Sequence, residues 1–114
     1  MSGYRESVVE VTATIASSGT TSGAVDLGVA CPVGLTMPAA LTGTAITFLV
    51  SNDNSNYVAL YDYDTAAAVS ITFVASKAFN LPTRIFAGRR NLKIVSNGTE
   101  GSSRAFLISS RVVA

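Results

Sequence analysis

The sequence has no histidine, no tryptophan and a single cysteine, Cys31, among its 114 residues. Without histidine it lacks the commonest general base, the usual imidazole metal ligand and the standard partner of a serine or cysteine nucleophile. That removes most hydrolase constellations, and no enzyme is expected. One cysteine excludes an intramolecular disulfide and a cysteine-based metal centre, so stability has to come from packing, with Cys31 as a small buried hydrophobe. Charge is scarce too: 8 Lys and Arg oppose 7 Asp and Glu, a net charge of +1. No strong field draws nucleic acid or an anionic membrane to such a surface, and neither is expected as a partner. No apolar run reaches the roughly 18 residues of a membrane span. The opening Met1-Ser2-Gly3-Tyr4-Arg5-Glu6 lacks the apolar stretch of a secretory signal, so synthesis and folding in the cytoplasm are expected.

What is present is apolar and short-side-chained. A hydrophobic share of 48% with 13% charged residues lies far from the signature of disorder. The length fits one domain over residues 1–114, large enough to bury roughly two thirds of the surface of the unfolded chain. With so few charges, the surface has to be covered by Thr, Ser, Asn, Gly and Ala together with apolar side chains, and part of it is expected to meet another protein.

The pattern is that of strands and turns. In residues 8–16, Val9, Val11, Ala13 and Ile15 alternate with Glu10, Thr12 and Thr14, the two-residue period of a half-buried strand. A Ser/Thr/Gly loop follows. Short strands at residues 24–27 and 33–37 come next; Pro32 and Pro38 bound the second, and both strands read as peripheral or irregular. Residues 45–51 place Ile46, Phe48 and Val50 on one face, a core strand. The Asn/Asp/Ser run 52–56 has hairpin chemistry and leads to a return strand at 57–61. After a turn at 62–65, Val69, Ile71 and Phe73 mark another core strand. Residues 80–90 read as a long crossover in which Pro82 opens a single helical turn and Gly88 closes it, with Ile85 and Phe86 as its apolar contacts. Strands at 92–96 and around Phe106, Ile108 and Val112 flank a Gly-rich turn. The expected architecture is all-β: a single-domain antiparallel β-sandwich or jelly roll of about eight strands. Residues 1–7 precede the first clear strand and read as an arm.

Candidate chemistry is sparse. Asp62 and Asp64 lie two apart, but a turn pair in water explains them better than a glycosidase pair, which needs a cleft usually lined by aromatic platforms. Asp53, Asp62 and Asp64 with Asn52, Asn54 and Asn56 offer oxygen ligands, yet their spacing matches no EF-hand loop and Asx-rich turns have this composition for local reasons. No metal and no cofactor is expected. Asn97-Gly98-Thr99 matches a glycosylation acceptor but also a hairpin turn, and glycosylation is discarded. Tyr57 and Tyr61 should share one side of a strand and could stack on a sugar ring, although most strand tyrosines simply pack. The densest cationic cluster is Arg84, Arg89, Arg90 and Lys93 around Phe86. Arg and aromatic residues are enriched in protein interfaces, so Arg84, Phe86, Arg89 and Arg90, with Tyr4 and Arg5 of the arm, are the candidate partner-binding residues.

Four segments carry a resemblance: Ala24-Val25-Asp26-Leu27-Gly28, Val33-Gly34-Leu35-Thr36-Met37-Pro38-Ala39-Ala40-Leu41-Thr42-Gly43-Thr44, Ile46-Thr47-Phe48-Leu49-Val50-Ser51 and Leu92-Lys93-Ile94-Val95-Ser96. Over about three quarters of the chain, this order resembles small virion structural proteins encoded in tailed-phage genomes. It also looks like a pared-down discoidin-type jelly roll, a sandwich shared by many carbohydrate-binding modules. The chain lacks the Trp and the cysteine pairs of that pattern, so no sugar-binding residue carries over. The virion resemblance implies a capsid cement or decoration protein on the outer capsid surface, often a homotrimer, bridging capsomers of the major capsid protein. The alternatives it leaves are a glycan-binding module of a head or tail fibre, with a glycan as partner, and a tail or neck structural subunit.

Overall fold

The computed structural model describes residues 7–28, 30–86 and 88–112. Their strands are β1 (Ser7–Ile15), β2 (Val25–Asp26), β3 (Cys31–Thr36), β4 (Ala45–Ser51), β5 (Val58–Ala59), β6 (Tyr61–Asp62), β7 (Ala67–Ala68), β8 (Ser70–Thr72), β9 (Ala78–Asn80), β10 (Asn91–Ser96) and β11 (Arg104–Val112). One helical turn, α1 (Thr83–Phe86), interrupts them. Every pairing is antiparallel, in one sheet ordered β1-β11-β3-β9, a second ordered β2-β10-β4-β5 with β8 also on β4, and a small β6-β7 hairpin.

This order is a long hairpin rolled on itself. If β5 to β8 count as one interrupted strand position, the first position pairs with the eighth (β1·β11), the second with the seventh (β2·β10), the third with the sixth (β3·β9) and the fourth with the fifth (β4 with β5 and β8). The roll closes where β11 also pairs β3 and β10 also pairs β4. That is the winding of a jelly roll, so the all-β sandwich expected from the strand spacing is the fold observed.

The core follows from alternation. Ala13 and Ile15 of β1, Leu35 of β3, Ile46, Phe48 and Val50 of β4, Leu92 and Ile94 of β10, and Phe106 and Ile108 of β11 all point between the sheets and are buried. Strand β4 has the bounds read from the sequence. Of the two expectations for β3, peripheral or irregular, it meets the second and not the first. It lies inside its sheet, between β11 and β9, with Pro32 buried within it. The ladder tolerates the missing N–H because the register with β11 shifts between Ser109 and Ser110, directly opposite Pro32. Cys31, beside it, is half-buried, and burial pushes its thiol pKa upward.

Pro82 and Gly88 bracket the expected helical turn, with Gly88 at φ 82°, a left-handed conformation that favours glycine. One role read for this turn is corrected. Phe86 is 1% exposed and meets Phe48 edge to face, with ring centroids 5.0 Å apart and planes at 83°. It plugs the core between the sheets and is no surface contact residue.

One end of the sandwich is tied by Glu100, a carboxylate with 0% exposure in the turn between β10 and β11. Its Oε1 accepts the Thr42 N–H at 2.8 Å and Arg104 Nε at 2.8 Å; its Oε2 accepts the Ser96 hydroxyl at 2.7 Å and the Gly43 N–H at 3.1 Å. Its backbone joins the loop after β1, taking the Ser18 N–H at 2.7 Å and donating to the Gly19 carbonyl at 2.9 Å. Next to it the Asn97 carboxamide accepts the Thr44 N–H and donates to Thr44 Oγ1. Gly43 is required by this closeness, since a Cβ there would fall against Ser96 Oγ and Asn97 Oδ1 and 3.0 Å from the Gly98 nitrogen. Burial alone would raise the Glu100 pKa. The donors from Thr42, Arg104, Ser96 and Gly43 outweigh burial and hold the carboxyl at about 2, below its ordinary 4.5.

Two outcomes follow for stability. Phe86→Ala should cost about 3–5 kcal/mol in urea unfolding, as for other buried aromatics, whereas Arg89→Ala should stay within about 0.5 kcal/mol. Because the folded-state pKa of Glu100 lies below the unfolded one, its contribution is complete above about pH 4.5 and is lost as pH falls through about 2. Glu100→Gln should lose roughly 3–5 kcal/mol at neutral pH, and its acid unfolding curve should be flatter than that of the parent over this window.

Candidate binding site

The opposite end is built from the connectors after β2, β4 and β9, and it is open. The registers set Asp26, Asn91 and Ser51 side by side on adjacent strands, on the outer face of the β2-β10-β4 sheet, because their neighbours Val25, Leu92 and Val50 point into the core. Ser51 then folds the next loop over this row. Its hydroxyl donates to Asp53 Oδ1 at 2.8 Å and accepts the Asp53 and Asn54 N–H groups at 3.2 and 3.1 Å. Asp53 Oδ1 accepts the Ser55 and Asn56 N–H groups at 2.9 and 2.8 Å, and Oδ2 accepts Asn56 Nδ2 at 2.7 Å. Asn54 takes φ 59°, a conformation that asparagine tolerates well. The Asx-rich run thus spends much of its oxygen on its own turn.

The third wall is Arg90. Its N–H donates to Asn52 Oδ1 at 3.0 Å, and its guanidinium reaches Asp26 with Nε at 3.3 Å from Oδ1 and Nη2 at 3.5 Å from Oδ2. Asp26 Oδ1 also accepts the Gly28 N–H at 2.9 Å. Between these groups lies a cavity of about 420 Å³ lined by Ala24, Asp26, Asn52, Asp53, Asn54, Arg90 and Asn91. Tyr57 stands beside it: its hydroxyl donates to Asn54 Oδ1, and Lys93 Nζ lies 4.3 Å from its ring centroid, a cation–π contact. The Gly28 N–H and then Arg90 lower the Asp26 pKa, and the Asn56 and Ser55 N–H groups lower that of Asp53, so both are carboxylates at neutral pH. Burial first, then the negative Asp53 and Asp26, raise the Tyr57 pKa and keep its phenol protonated.

The structure separates the residues that the sequence placed in one cationic cluster. Arg90 turns to Asp26, Lys93 to Tyr57, and Arg84 to Asp62 at 3.6 Å, beside the exposed Tyr61 and Tyr63. Arg89 is exposed and meets no carboxylate among the described residues. Tyr4 and Arg5 lie outside the described residues. The strand expected at residues 57–61 breaks at Leu60, which turns inward and donates its N–H to the Phe48 carbonyl. Tyr57 is therefore tied to Asn54 of the polar cavity, while Tyr61 lines a separate cleft of about 40 Å³ with Asp62, Tyr63, Val69, Arg84 and Ile85. Asp62 Oδ1 accepts the Asp64 N–H at 3.0 Å, a turn contact. No group of three or more Cys, Asp or Glu side chains is placed to hold a metal ion among the described residues, and no described helix is long and apolar enough to cross a membrane.

No protein-family model matches the chain, and no curated protein matches it. Among solved structures it is similar to an SPBc2 prophage-derived protein, YomS, with a TM-score of 0.62 and 14% identity over 96% of this chain and 98% of that one. A Yersinia pseudotuberculosis-derived mitogen aligns with a TM-score of 0.40 and 12% identity over 96% of this chain and 88% of that one, too loosely to bear on the fold. The likeness to YomS is one of fold, and it runs nearly end to end in both chains.

The Asp53 contacts predict a local effect. Asp53→Ala should speed hydrogen exchange at the Ser55 and Asn56 amides about tenfold or more, because it removes their acceptor, while amides of β4 and β10 keep their protection.

Proposed function

We propose that this chain is a structural protein of a bacteriophage particle, a cement or decoration module on the outer capsid surface, made in the host cytoplasm. The observation that carries the reading is the end-to-end likeness of its jelly roll to a prophage-derived protein of nearly equal extent. The sequence resemblance to small tailed-phage virion proteins points the same way. The fold suits such a role, because a small closed sandwich pinned at one end by a buried carboxylate is a rigid body with little to lose on docking. Many modest contacts then stabilise the shell, since the module binds assembled capsomers and not separated ones. A homotrimer on a threefold axis would present three equal footprints.

The surface that best fits such contact is the β6-β7 hairpin with α1. Tyr61 is 60% and Tyr63 85% exposed, and Arg84 stands beside them. Tyrosine and arginine are the side chains on which interface energy concentrates. The purified chain is expected to have a trimer's mass in solution and to pellet with shells that lack it. The double variant Tyr63→Ala with Arg84→Ala should attach about tenfold more weakly without a change in unfolding midpoint. A monomer that stays in the supernatant when such shells are pelleted would overturn the reading.

A further inference from the structure

The cavity bordered by Asp26, Asn52, Asn54, Arg90 and Asn91 is more ordered than a surface dent needs to be. We propose that it binds one residue of a neutral carbohydrate, a property independent of whether the chain sits on a particle. Its volume, about 420 Å³, falls within the roughly 300–1,000 Å³ of small-molecule sites, but its lining is polar where most such sites are apolar.

Asn91 is the key observation. It is 4% exposed, it lines the cavity, and its carboxamide makes no hydrogen bond among the described residues. The carboxamide is not sealed off, since Ser110 Oγ is the buried side-chain polar atom without a partner among the described residues, so Asn91 is open to the cavity it lines and a ligand there can meet it. An apolar ligand would leave it unsatisfied.

Charge then selects among polar ligands. In the lining Asp26 and Asp53 oppose Arg90, a net charge of −1 with both signs present, and Lys93 lies outside it over Tyr57. A phosphate would face the two carboxylates; a metal cation would face the guanidinium. A sugar hydroxyl both donates and accepts, which matches a wall offering carboxylate oxygens as acceptors, amide and guanidinium N–H groups as donors, and carboxamides as both. The walls are also fixed before any ligand arrives, Arg90 by Asp26 and Asn52, and the loop by Ser51 and Asp53, which lowers the ordering cost of binding. Tyr57, outside the lining, holds Asn54 of the lining through its hydroxyl.

The test is a titration of the full-length chain followed by NMR of its side-chain amides, with glucose, galactose, mannose, rhamnose, N-acetylglucosamine and N-acetylgalactosamine, each to roughly 50 mM, and with glucuronate and inorganic phosphate in parallel. At least one neutral sugar should shift the Asn52, Asn54 and Asn91 amides with a Kd on the order of 1–10 mM. Asn91→Ala should weaken binding at least about tenfold with the remaining spectrum unchanged. Asn54→Gly, which keeps the left-handed backbone and removes the carboxamide, provides a second variant with a lesser expected loss, should Asn91→Ala disturb the strand. Failure of every neutral sugar to shift these amides would overturn the proposal, as would tighter binding of glucuronate or phosphate, or unchanged binding by both variants. The assay contains no shells, so its failure is separate from a failure to attach to a capsid.

Discussion

A carboxylate that never meets water holds three connectors of this sandwich together. Glu100 gathers N–H groups from the loop after β3, a hydroxyl from the end of β10 and a guanidinium from the start of β11, while its backbone pairs with the loop after β1. Burying an unpaired charge would be prohibitive, but here every oxygen has two donors, so the desolvation cost is met by geometry. The consequence reaches beyond the turn. Loops that would otherwise wander are held at fixed separations, and the two sheets are stapled at one end without a disulfide, which a chain with a single cysteine cannot form within itself.

The opposite end inverts these terms. Its polar groups are also organised, through Ser51, Asp53, Asp26 and Arg90, yet they surround space instead of closing it. The difference lies in where the partners come from. Around Glu100 the donors converge from several loops on one acceptor and exclude water. Around Asn91 the neighbouring groups are committed to one another, and the carboxamide between them has none. One end of the roll is closed on a carboxylate and the other stays open.

How much of this is legible in the sequence depends on the range of the interaction. Strand β4 and the turn between Pro82 and Gly88 are readable because alternation, proline and glycine act over a few residues. Strand β9 is not: Ala78–Asn80 has no periodicity of its own and becomes a strand only by pairing β3. Pro32 argues for an edge, and the irregularity that lets β3 sit inside the sheet, Val33 left over between the pairs Gly34–Ser109 and Pro32–Ser110, shows only once β11 is in register. A four-residue helix gives no pattern to say which side faces the core, so Phe86 reads as a surface anchor. Glu100 sits in a Gly-rich turn whose composition suggests exposure to solvent. The cavity is the least legible feature, because Asp26 and Arg90 are 64 positions apart and only the rolled register brings them together.

The pairing of β1 with β11, residue for residue from Ser7 with Val112 to Ile15 with Arg104, links the start of the described chain to its finish. During synthesis the first strand emerges early and waits, its Ala13 and Ile15 face uncovered, until β11 has left the ribosome. The middle position, with β9 on β3 and β8 on β4, can gather sooner, but the sheet containing β1 cannot close until then. Such a topology is dominated by distant partners, so closure of this sheet waits for β11 and folding proceeds on the slow side for its size. A prematurely ended chain would carry an open, hydrophobic edge ready to pair with another copy.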